Sequence, residues 1–239
     1  MRVVFDIGHG IDTKGKRVGA FKEHDFNCAV ALKTKELAEK QGFEILLTQQ
    51  PHTKDIWVAD RAEWVNAENA KKPILCLISF HANASGNQAA SGWSLFHWHN
   101  SEKGKRLAQL WQKYAKQILQ LRQCGQGIWE CRRGTWTNFV IVRDPVIPCL
   151  LIEHFFYTNP EELKKCNTSE MIEKFAEVTV RTLCEYAGKE YKEPIDYKKV
   201  IQEHVKFSNP DGVWAVLDQH PYAQDLYKKW AESYERSDT

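Results

Sequence analysis

Three short, nearly uninterrupted apolar runs constrain the fold of this chain most: Val3-Val4-Phe5-Asp6-Ile7, Ile74-Leu75-Cys76-Leu77-Ile78-Ser79-Phe80 and Cys149-Leu150-Leu151-Ile152. A strand that is apolar at almost every position is buried on both faces, as in a parallel sheet covered by helices on each side. The runs end at Gly8-His9, His81 and Glu153, residues able to bind a metal or move a proton. Ligands in open α/β sheets gather beyond the carboxyl ends of the strands, so these distant residues are expected along one edge.

The intervening segments fit that layout. Asp25 reads as the N-cap of a helix running to about Lys40, with Gly42 as its stop. Residues 43–48 read as a second strand, and residues 56–70 carry apolar side chains at helical spacing before Pro73. Further strands are expected over 92–98, 138–142 and 148–153, and helices over 102–121 and 169–186. The Gly- and charge-rich stretch 123–137 reads as a loop. The predicted fold is therefore α/β: a mostly parallel, twisted sheet of about six strands with helices on both faces. Residues 1–188 form the expected main domain, and 189–194, ending in Pro194, a linker. Residues 195–239 form a small helical C-terminal extension, interrupted at Asn209-Pro210-Asp211-Gly212 and His220-Pro221.

Lysine and arginine total 33 against 31 acidic residues, a balance that argues against a nucleic-acid partner. The seven cysteines are scattered and several lie in apolar runs, so they do not form a disulfide framework, although Cys124 and Cys131 could pair in an oxidising compartment. No run approaches the ~20 apolar residues of a membrane span. The first strand begins at once, without a basic leader or cleavage site, which predicts synthesis in the cytoplasm with no signal peptide.

Two imidazoles and a carboxylate are a ligand set for catalytic zinc that leaves a position for water, and a second carboxylate can act as base. His9, between two glycines, and His81, at the end of an apolar strand, are candidates for the imidazoles, although by themselves they also read as a turn histidine and a hydrogen-bonded structural histidine. Glu23, His24 and Asp25 compete for the third position. Glu153 closes an apolar run, where an unpaired charge is costly, so it should face a cation or a solvent-filled site. His154 should point to the opposite face. Asp6 could orient a ligand imidazole or equally be a plain hydrogen-bonded core aspartate. Asn83 and Arg143, at or just past strand ends, are candidates for holding the substrate, though Arg143 could equally pair with Asp144. Trp93, Trp129 and Trp136 are expected to rim the cleft, where aromatic faces can pack on sugar rings.

Four segments carry a resemblance: Asp6-Ile7-Gly8-His9-Gly10, Phe21-Lys22-Glu23-His24-Asp25-Phe26-Asn27, Ser79-Phe80-His81-Ala82-Asn83-Ala84 and the stretch from Leu150 through Glu153 to Asn159-Pro160. In order and type they resemble the signature blocks of the zinc-dependent N-acetylmuramoyl-L-alanine amidases, over roughly residues 1–187. The resemblance implies one zinc ion on His9, Glu23 and His81, with Glu153 as the catalytic carboxylate. It also implies peptidoglycan or muropeptides as substrate and the bacterial cell wall as the place of action; the missing leader suggests that the wall is reached after release or lysis, as by a phage or prophage lysin, or by an unusual export route. Two departures stand out: His154-Phe155-Phe156 follows the catalytic carboxylate where the family has smaller residues, and Thr48-Gln49-Gln50-Pro51 lacks the acidic residue often found there. No long insert between His81 and Glu153 occludes the site, so an open cleft is expected. The alternatives are a zinc exopeptidase and a non-catalytic wall-binding protein.

Overall fold

The computed structural model describes residues 1–193, 197–220 and 222–235. The chain divides into two compact units between Tyr191 and Lys192. In the first, the elements run β1 (Arg2–Ile7), β2 (Arg17–Val18), β3 (Phe21–Lys22), α1 (Glu23–Lys40), β4 (Glu44–Leu47), α2 (Val58–Lys71) and β5 (Ile74–Asn83). They continue with β6 (Trp93–Trp98), α3 (Glu102–Ile118), β7 (Gln123–Cys131), α4 (Val140–Arg143), β8 (Cys149–Phe156), α5 (Pro160–Cys166) and α6 (Ser169–Tyr186).

Six strands form one sheet in the order β4-β1-β5-β8-β6-β7, and β2 pairs with β3 in a separate ribbon. Neighbours are parallel except β6 and β8, which run antiparallel. Alternation along the strands divides the core in two. Val3, Phe5, Ile78, Phe80 and Ile152 pack under α1, α3 and α6, and Val4, Leu77, Phe96 and Leu151 pack under α2 and α4. The fold is the α/β architecture expected from the apolar runs.

Several local expectations change. Asp25 does not cap α1; the helix starts at Glu23 with Lys22 at the N-cap and no side-chain cap bond. Residues 123–131, expected as loop, form an edge strand that pairs parallel with β6 through an irregular register. Gly125 and Gly127 adopt positive φ there, a backbone state that a glycine-rich edge strand tolerates and that a propensity reading scores as loop. Residues 138–142, expected as strand, contain the start of the short helix α4, since a brief apolar run has the same look in a strand and in a buried helical turn. Trp93 is fully buried against Trp111 and belongs to the core rather than the cleft rim. All seven cysteines are free.

The second unit contains α7 (Tyr197–His204), α8 (Pro210–Leu217) and α9 (Ala223–Glu235), gathered around Ile201, Trp214 and Tyr227. Asn209 caps α8 by accepting from Gly212 N, so Asn209-Pro210 begins a helix. Pro194 and Pro221, expected as linker end and helix break, lie outside the described residues. Among the described residues no helix is long and apolar enough to cross a membrane.

Candidate metal and hydrolytic site

Four chain segments meet at the carboxyl-terminal parts of β1, β5 and β8. The parallel register of β5 and β8 sets His81 beside Glu153, so both side chains rise from one face of the sheet. Glu23 enters from the side as the first residue of α1, where a carboxylate is favoured by the helix dipole. His9 follows β1 with φ 63°, a left-handed conformation uncommon for a residue with a β-carbon. Such a backbone persists when its surroundings over-determine it. Here the Gln49 side-chain amide donates to both Ile7 O and His9 O, and Gly8 N donates to Phe80 O.

One donor atom from each of His9, Glu23 and His81 lies within 4.8 Å of the others, a group able to hold a metal ion. The two imidazoles stand perpendicular, with centroids 5.0 Å apart. His81 Nδ1 lies 3.0 Å from Glu23 Oε1, which also accepts from Ala82 N. His9 Nε2 approaches the same oxygen to 3.2 Å yet makes no hydrogen bond. Glu23 Oε2 and Glu153 Oε2 are likewise buried without a hydrogen-bond partner. Buried polar atoms are almost always satisfied, so the unpartnered His9 Nε2 and Glu23 Oε2 fit a cation held by the His9, Glu23 and His81 group.

Electrostatics supports the same reading. Burial alone would raise the Glu23 pKa, but the facing imidazoles of His81 and His9 pull it well below the carboxylate range, leaving an anion. Burial lowers the His9 pKa, only partly offset by Glu23, and the neutral ring offers the lone pair a metal needs. Glu153 behaves oppositely: burial, reinforced by the charge of Glu23, raises its pKa well above the ordinary value. Two carboxylates in one pocket are thus driven apart in proton affinity, the pattern of divided acid-base roles.

The remaining candidates separate. Asp6 does not reach a ligand imidazole: its Oδ1 accepts from Arg61 and Thr48, both at 2.7 Å, and its Oδ2 from Ser79 at 2.6 Å. The arginine came from a helix over fifty residues away, a pairing that sequence spacing does not reveal. Arg143 grips Asp144 and Asn138 and lines a cavity with Pro148 and Cys149, at the amino end of β8 and away from Glu153. Asn83 lies two residues beyond His81 on β5, with its side-chain oxygen accepting from Ala84 N. His154 points to the opposite face, buried among Phe26, Trp111 and Phe175.

Trp57, Val58, Phe139 and Lys16, not singled out from the sequence, complete the surroundings. A cavity of about 350 Å³ opens beside the imidazoles, lined by His9, His81, Trp57, Val58, Phe139 and Leu151 among others. Trp57 is 70% exposed at its mouth. Trp136, 69% exposed, packs on Trp129 and Phe96, and Phe96 in turn on Phe139. On the other side Lys16 Nζ lies 3.9 Å from Glu23 Oε2.

A parallel sheet bearing imidazoles and carboxylates of opposed proton affinity at its strand ends defines a hydrolytic α/β enzyme. The sequence profile of the N-acetylmuramoyl-L-alanine amidases matches residues 3–185. The chain is 26% identical over 222 residues to N-acetylmuramoyl-L-alanine amidase AmiA of Escherichia coli (strain K12), covering 77% of this chain and 75% of that protein. The solved catalytic domain of CwlV, the amidase of Bacillus (Paenibacillus) polymyxa var. colistinus, superposes with a TM-score of 0.67 at 26% identity, over 79% of this chain and 99% of that one. The N-acetylmuramoyl-L-alanine amidase of Clostridium difficile 630 gives 0.68 at 26% identity, over 79% and 97%. This chain belongs to the N-acetylmuramoyl-L-alanine amidase family of peptidoglycan hydrolases.

Proposed function

We propose that this protein is a zinc-dependent hydrolase that cuts the amide between the lactyl group of N-acetylmuramic acid and L-alanine, releasing stem peptides from glycan strands. The observation that carries the reading is the convergence of one donor atom each from His9, Glu23 and His81 within 4.8 Å, with Glu153 in register beside His81 on the next strand. Those three residues would hold the ion. When bound, zinc polarises a carbonyl and lowers the pKa of water toward ~7.

The chain's own residues do the rest. Glu153 takes a proton from the attacking water and passes it to the departing nitrogen, without which an amine is a poor leaving group. Its raised proton affinity suits a carrier that must hold the proton until the C–N bond breaks. Glu23 stays ionised and holds His81 in place. The cavity walled by Trp57 and Phe139 offers apolar surface for a sugar ring, with Trp136 further along the same aromatic row. The chemistry belongs to residues 1–188, and the substrate sets the place of action as the bacterial wall.

Digestion of a defined muropeptide followed by mass spectrometry tests the reading. The expected products are a peptide with a free L-alanine amino group and a glycan with an intact lactyl carboxylate. Cleavage between amino acids would instead favour an exopeptidase, and binding without cleavage a wall-binding protein. Chelation should abolish turnover and added zinc restore it.

A further inference from the structure

The short ribbon of β2 and β3 places Arg17 directly opposite Lys22, and Val18 opposite Phe21. Residues opposite one another in an antiparallel pair share a face, and like charges there are destabilising. Phe21 turns into the core against Phe26 and Tyr157, so Arg17 and Lys22 stand on the other face, exposed. Among the described residues, neither they nor Lys14 forms an ion pair. All three, with Lys16, line one cavity of about 440 Å³. Asp12 is its acidic wall residue, and Asp12 Oδ1 is occupied by Asp55 N at 2.9 Å. The cavity borders the hydrolytic site directly, because Lys16 Nζ is 3.9 Å from Glu23 Oε2.

From this arrangement we infer that the arch of Lys14, Lys16, Arg17 and Lys22 is an anion subsite that takes a free carboxylate of the stem peptide. Two facing cations without a counter-charge are a local cost that a bound carboxylate offsets, and an arginine fork can grip it at two points. The identity of the anion rests on the hydrolytic reading above, in which the substrate carries carboxylates a few bonds beyond the cut amide. The subsite adjoins Glu23, whereas His9 and His81 line the aromatic cavity.

The test is calorimetric binding of two released stem peptides to the full chain, one with free carboxylates and one with those carboxylates amidated. The acid form should bind about fivefold tighter or more, and the difference should shrink with added salt. The double substitution Arg17→Gln with Lys22→Gln should erase the difference, whereas Arg17→Lys with Lys22→Arg should keep most of it. Removing the facing charges should leave the melting temperature the same or higher, which separates a lost subsite from a damaged fold. Equal affinity of the two peptides for the unaltered protein, or a preference that survives the double glutamine change, overturns the proposal. Selective binding without cleavage of a muropeptide would leave the anion subsite standing and remove the hydrolytic reading instead.

Discussion

A β-carbon placed on Gly8 would lie 2.5 Å from Nε2 and 2.6 Å from Nδ1 of His81, so the His81 ring occupies space that only a glycine leaves free. Gly8 thereby helps shape the His9, Glu23 and His81 cluster although it contributes no donor. We expect Gly8→Ala to push the imidazole out of the donor triangle. Overpacking of this kind costs about 1–3 kcal/mol, and loss of a ligand should remove most bound zinc. Zinc content by atomic absorption, with the melting curve, checks this; full zinc occupancy at unchanged stability would contradict it.

The carboxyls of Glu153 and Glu23 shift in opposite directions and the proposed mechanism gives them opposite tasks, so their amide replacements should differ. Glu153→Gln should keep zinc and lose about 10²- to 10⁴-fold in kcat, the typical worth of a placed acid-base group. Glu23→Gln should lose the metal itself, because its anionic oxygen lies within reach of both imidazoles. Parallel measurement of metal content and muropeptide turnover distinguishes the two; equal zinc loss in both variants would reject this division of labour.

The readable parts of the site are those that local pattern controls. His81 and Glu153 end runs buried on both faces, so strand position and facing direction followed from alternation alone, as did the opposite face for His154. Reading failed where a distant partner decides the role. Asp6 looks like an imidazole support until Arg61 and Ser79 are seen around it. Of the two readings of Arg143 the structure shows the pairing with Asp144, because residues 138–142 lead into the α4 turn at the amino end of β8 instead of forming a strand. The facing of Arg17 and Lys22 has no sequence signature, because it depends on a two-residue ribbon without apolar alternation.

Arg61 and Asp6 form an ion pair at 2.7 Å, with side-chain exposures of 6% and 0%. Burial by itself would raise the Asp6 pKa, but Arg61, Ser79 and Thr48 bring it below the ordinary value, so the carboxylate stays charged. Arg61→Met should strand that charge beneath the imidazoles and cost about 3–5 kcal/mol. Replacing both, as Asp6→Asn with Arg61→Met, should cost less than the sum of the single changes. Urea unfolding of the double-mutant cycle gives the answer, and additivity within about 0.5 kcal/mol would show that the pair is uncoupled.

His154 makes acid stability a sharper probe of the core beneath the site. Burial lowers its pKa from 6.5 to about 4, only partly offset by the hydrogen bond of Nδ1 to His81 O, so the folded protein keeps the ring neutral. An unfolded chain takes up the proton near pH 6.5, the folded chain only near pH 4. Stability from this residue is therefore complete above pH 6.5 and drains away as the pH falls toward 4, by on the order of 3 kcal/mol in total. His154→Asn keeps an amide donor for His81 O and removes the titration. With metal stripped from both proteins, unfolding free energies at pH 7.5 and pH 4.5 should show the unaltered chain losing about 2–3 kcal/mol more than the variant. An equal loss in the two would mean that His154 already carries its proton in the folded core, against the apolar cage of Phe26, Trp111 and Phe175 that surrounds it.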